Sequence, residues 1–215
     1  MNMKLVSAGV TVLLLSAWPL DADSQSGNWP FVVAAQETDG TTAHGGYYAK
    51  CIPTGTFGSN GVTRVYRVEK AQDVLEHTYD WYSPHVYMSG ANRKVSIVRF
   101  GPWNTGHRAS PSDLALALYY DGKMLKSYST QDIAERPENV QHSVSHYVWY
   151  KRIIGYGRYA LPPSAKMIYG FGIESLDGRR LCFDVTTGEL LKDLRRVRRW
   201  TTSSSSTNVV VEYDD

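Results

Sequence analysis

Beyond position 46 the chain alternates apolar and polar positions with a period of two, the spacing at which successive side chains fall on opposite faces of a strand. Met167, Tyr169, Phe171 and Ile173 share one face, against Ile168, Gly170 and Gly172. Leu181, Phe183 and Val185 share another, against Arg180, Cys182 and Asp184. Between these runs, Asp177-Gly178 tolerates positive φ at both central positions of a type I′ turn, which predicts a β-hairpin. A second hairpin is predicted at Asp121-Gly122, between 114–120 and 123–128. There Leu114, Leu116 and Leu118 take one face and Ala115, Ala117 and Tyr119 the other; both are apolar, so the strand is expected to be central and covered on both sides.

Further strands are expected at 63–68, 85–88, 95–100, 144–150 and 209–213, the last after a serine linker at 203–206. Helical signals are sparse: a turn or two at 71–78 and at 131–136, and a better candidate at 190–200, where Leu191, Leu194 and Val197 recur at helical spacing. The fold class is therefore mainly β: antiparallel sheets, as a sandwich or a partial propeller-like hairpin array, with one or two short helices. One internal echo, 117–126 against 182–191, reads in both copies as strand, glycine turn and aliphatic return. Two copies do not make a repeat, and the chain is too short for more than about four blades of 40–45 residues.

The N-terminus follows a different pattern. Lys4 precedes an uncharged apolar run from Leu5 to Trp18, and a polar stretch follows, with Ala22 and Ser24 at the small-residue positions before a cleavage point. The run is about 14 residues, short of the roughly 20 that span a bilayer. Residues 1–24 are thus expected to be a cleavable signal peptide, with no transmembrane segment after it and a periplasmic or secreted destination. The expected organisation beyond it is a flexible arm over 25–46 with one strand near Phe31 to Ala35, a mainly β domain over 47–200, and a tail over 201–215 with an edge strand.

Composition adds a preference for wet aromatic surfaces. The 15 Tyr and 6 Trp outnumber the 5 Phe, and rings with a polar tip suit half-buried sheet faces and binding sites. Trp81 and Tyr82, Trp103, and Tyr147 with Trp149 are the candidate ligand-binding residues; the competing expectation is that alternate rings fill the core and the others cover its outer face. The formal charge of +2 says little about partners. The basic cluster at 192–199 is expected to be the solvated face of a helix, and export argues against nucleic acid. Export also favours a disulfide between Cys51 and Cys182, worth about 5 kcal/mol for so long a loop.

VRFGPW (98–103), LALALYYDGKMLKSYST (114–130), SVSHYVW (143–149) and ESLDGRRLCFDVTTGELL (174–191) together resemble a group of uncharacterised exported bacterial proteins. The resemblance covers about half the chain. It implies an envelope or secreted setting and an all-β, propeller-like core, and carries no substrate, cofactor or catalytic residue.

Catalytic signatures are missing. His142 and His146 are spaced like a helical zinc pair but lack the glutamate after the first histidine, and on one strand they would lie about 13 Å apart, too far to share an ion. There is no Gly-x-Ser-x-Gly elbow and no glycine-lysine phosphate loop. The carboxylates Asp80, Asp113, Asp132, Glu135, Glu174, Asp177 and Asp184 include no sharp pair. No metal or cofactor is expected. The expected function is a non-enzymatic binding or interaction domain of the cell envelope, with a polysaccharide or envelope protein as partner. The alternative is a secreted hydrolase acting on glycans through paired carboxylates.

Overall fold

The alternating segments pair into four sheets. A computed structural model describes residues 27–37, 46–91, 94–161, 166–192, 195–202 and 209–213. In chain order the strands are β1 (Phe31–Ala34), β2 (Gln36–Glu37), β3 (Tyr47–Pro53), β4 (Gly61–Arg67), β5 (Val74–Tyr79), β6 (Val86–Ala91), β7 (Lys94–Phe100), β8 (Asn104–Thr105), β9 (Leu114–Tyr120) and β10 (Lys123–Ser129). After a short helix, α1 (Thr130–Ala134), come β11 (Gln141–His142), β12 (His146–Val148), β13 (Tyr150–Leu161), β14 (Lys166–Ser175), β15 (Arg180–Asp184), β16 (Leu190–Lys192), β17 (Arg195–Thr202) and β18 (Val209–Tyr213). The sheets run β1-β3-β4-β5, β10-β9-β7-β6-β2, β11-β12-β8 and β16-β15-β14-β13-β17-β18. Among the described residues strand pairing is antiparallel except between β2 and β6, and no barrel closes. The expected mainly β class is thus the observed one. The leader and the serine linker lie outside the described residues.

The second sheet is the middle layer, because both of its faces are apolar. Val86, Met88, Val95, Ile97, Ala117 and Tyr119 pack toward the first sheet, against Ala49, Cys51 and Val65. Val98, Phe100, Leu116 and Leu118 pack on the other side, against Phe171, Ile173, Leu181 and Phe183 of the fourth sheet. β9 is central as its sequence predicts, with one difference. Its alternation slips at the start: Ser129 pairs with Leu114 and Tyr128 with Leu116, leaving Ala115 as the extra residue of a bulge. Ala115 therefore joins the core of Leu116 instead of that of Ala117.

Both predicted hairpins form, through different turns. Asp121 (φ 48°) and Gly122 (φ 83°) are both left-handed, as a two-residue type I′ turn requires. At Asp177-Gly178 only the glycine is left-handed. The Ser175 and Arg179 backbones pair, and Gly178 N–H donates to the Ser175 carbonyl, so the expected type I′ turn is replaced by a three-residue loop ending in glycine.

Two expected helices are strands. Residues 74–79 zip to β4 from Thr63↔Tyr79 to Arg67↔Val74, a state that suits Val74, Thr78 and Tyr79 better than a helix. In 190–200, Leu190 and Leu191 pair with Phe183 and Cys182, and Arg195–Thr202 pairs with both β13 and β18. Available strand partners outweigh a weak helical spacing there. The helix expected at 131–136 is α1, set one residue earlier by a capping box between Ser129 and Asp132.

The arm is anchored where it is described, β1 to β3 and β2 to β6. β18 is the edge strand of the fourth sheet. The expected Cys51–Cys182 bridge is not formed. Both thiols are free and buried, Cys51 between the first and second sheets and Cys182 beside Tyr159 on the far face of β15.

Candidate functional site

At one end of the stack, where all four sheets contribute residues, lies a cavity of about 470 Å³. That size falls within the range of small-molecule sites. Its first wall comes from the segment before β1. Asn28 holds this segment down, its amide donating to the Gly58 carbonyl at 2.9 Å and its backbone N–H to the Thr56 carbonyl at 2.7 Å. The Tyr82 hydroxyl donates to the Trp29 carbonyl at 3.0 Å, and the Phe31 ring stands edge-on to Tyr82. The Trp29 side chain is left 73% exposed at the rim.

The second wall is the turn at Ser83-Pro84-His85. Ser83 Oγ lies 2.9 Å from the carbonyl oxygens of both His85 and Phe100, tying the turn to the end of β7. His85 stays exposed at the cavity's edge, yet partial desolvation by its neighbours lowers its imidazole pKa, so at neutral pH the ring is an uncharged donor and acceptor.

The floor is aromatic. Phe100 meets Trp149 at 5.3 Å and Tyr150 at 5.4 Å, and those two meet each other at 5.0 Å, all tilted or edge-to-face. After Phe100 the chain must leave the sheet. Gly101 donates its N–H to the Ala115 carbonyl, and any β-carbon there would overlap the Leu114 carbonyl oxygen. Pro102 then ends the strand, and Trp103 swings to the rim, 38% exposed, with its ring 4.8 Å from that of His146. Tyr147 closes the inner side. Its hydroxyl points away from the cavity, donating to Asp113 at 2.6 Å and sharing a 2.8 Å hydrogen bond with Thr130. Burial, then the Asp113 carboxylate, push its pKa up to about 12.

Tyr82, Trp103, Tyr147 and Trp149 are therefore four of the cavity's walls. Trp81 is not. Its ring is buried in the core between the first and second sheets, which Tyr82 shares while also bordering the cavity. Comparison with family models, curated proteins and solved structures finds no match for this chain. What the site does has to be argued from its chemistry.

Among the described residues no Asp, Glu, Lys or Arg lines the cavity; His85, Asn28, Asn104 and the tyrosines supply polar side chains. The candidate carboxylates are engaged elsewhere. Asp113 holds Tyr147, Asp132 caps α1, and Glu174 accepts from Lys151 and Arg152. Glu135 and Asp177 flank Arg179, and Asp184 accepts backbone N–H groups of its own turn. Asp80 is exposed outside the cavity. His142 and His146 sit on separate strands, not on one strand or helix, with His142 paired to Tyr147. Among the described residues no three His, Cys, Asp or Glu side chains are grouped as metal ligands.

Sequence reasoning missed Trp29, His85 and Tyr150. Each follows or precedes a turn or strand start, and only Trp29-Pro30 and Pro84-His85 carry a local sign, a proline that halts the strand and leaves its neighbour at an end.

Proposed function

We propose that this chain is an exported, non-enzymatic binding domain whose aromatic cavity holds a neutral glycan of the cell envelope. The observation that carries the reading is the lining: Trp, Tyr and Phe rings with a few uncharged polar groups and, among the described residues, no ionised side chain. Rings of this kind offer flat apolar faces to the C–H faces of sugars, while Asn104, Asn28 and neutral His85 supply hydrogen bonds. A cavity without a carboxylate has no acid–nucleophile pair to offer a glycosidic bond, which places the hydrolase reading second. Export rests on the leader pattern of 1–24 and on the resemblance to exported bacterial proteins.

The test is a glycan array probed with the purified protein, followed by titration of any hit. Trp103→Ala removes an aromatic ring that lines the cavity and should weaken binding roughly tenfold, as loss of an aromatic anchor does. Trp29→Ala should act in the same direction. Undiminished glycan affinity in both variants would refute the cavity as the site. Capture of an envelope protein with no glycan hit would shift the reading to a protein partner.

A further inference from the structure

Asn104 is a polar side chain of the cavity that the fold does not use. It opens β8, and its partner across the ladder is Tyr147, which closes the inner side of the cavity. Partners directly opposite one another share a face, so Asn104 turns the way Tyr147 does. Thr105, paired with His146, takes the exposed face. Only 7% of Asn104 is left exposed. Among the described residues no group hydrogen-bonds its side-chain amide, yet neither amide atom is sealed from solvent. What the residue keeps open, it keeps toward the cavity that it lines.

A carboxamide carries two donors and an acceptor, and buried polar groups of this kind are normally paired. A ligand that satisfies it presents an acceptor and a donor side by side. The rest of the lining offers little more. Asn28 spends Nδ2 on the Gly55 and Gly58 carbonyls, at 3.3 and 2.9 Å, which leaves its Oδ1 to accept. The Tyr82 hydroxyl is given to Trp29 and that of Tyr147 to Asp113. A sugar with a hydroxyl at every ring carbon would press several of them unpaired against aromatic faces, at a desolvation cost. An acetamido substituent suits this lining better. Its planar amide can pair twice with Asn104, and its methyl can lie on the rings of Phe100, Trp149 and Tyr150.

We propose that the cavity selects an N-acetylated amino sugar and that Asn104 determines this specificity. The acetamido N–H donates to Asn104 Oδ1, and Asn104 Nδ2 donates to the acetamido carbonyl. The inference rests on the glycan reading above and names the sugar class within it.

The probes are the trisaccharide of N-acetylglucosamine and the glucose trisaccharide of the same linkage, which differ only in acetamido against hydroxyl. Each is titrated calorimetrically into the purified protein. Native protein should prefer the acetylated sugar about tenfold or more, as a site built to hydrogen-bond a substituent does. Asn104→Leu, similar in volume but without the amide, should erase that preference by weakening the acetylated sugar about tenfold. Equal affinity of native protein for both sugars, still reduced by Trp103→Ala, overturns the acetamido pairing and leaves the glycan reading standing. Binding of neither sugar overturns both. An acetyl preference that persists in Asn104→Leu overturns the role of Asn104. The comparison of the two sugars on native protein decides even where Asn104→Leu fails to fold.

Discussion

The two cysteines separate local chemistry from compartment. Cys51 is sealed in the core, and burial pushes its thiol up to about 11; burial raises Cys182 further. Neither forms appreciable thiolate at neutral pH, and the thiolate is the reactive species. The native protein should therefore show no labelling by a thiol reagent, and two labelled thiols once unfolded in denaturant without reductant. No thiols in that second measurement would mean that the bridge forms after all.

At the scale of elements, turns set the hairpins and side-chain neighbours decide how strictly. Gly122 and Gly178 have nearly the same left-handed φ, 83° and 82°. A β-carbon on Gly178 meets nothing within 4 Å, whereas one on Gly122 would lie 2.7 Å from the His77 ring. Gly178→Ala should lose only the conformational term, about 1–2 kcal/mol. Gly122→Ala should lose that plus the cost of moving His77. Urea midpoints of the two variants measure the difference, and equal midpoints would show that His77 yields freely.

The whole molecule is held by buried rings, and that sets its alkaline limit. Burial raises the pKa of Tyr156, Tyr79 and Tyr147, the last to about 12 with help from Asp113. A phenol whose folded pKa exceeds its unfolded value of about 10 keeps a proton that the unfolded chain loses. Its contribution is complete below pH ~10 and falls away as pH climbs through the folded values. Stability should drop steeply above pH ~10, with tyrosinate absorbance rising together with loss of the strand signal in circular dichroism. Ionisation of all the tyrosines with the sheets intact would contradict this packing.

Fold class, both hairpins and the doubly covered β9 were legible in the chain, because period-two alternation and Asp-Gly turns are local and act through the backbone nearby. Four of five aromatic candidates also proved to be neighbours, but nothing in their spacing brought 82, 103, 147 and 149 to one cavity. That required the four sheets to meet at one end. Trp81 and Tyr82 differ by one position and share the core between the first and second sheets, yet only Tyr82 also borders the cavity. The strands at 190–202 and the separated cysteines were likewise settled by partners far along the chain. Sequence by itself determined which residues prefer strands and turns; tertiary structure decided which faces met, because packing energy depends on neighbours that local pattern does not name.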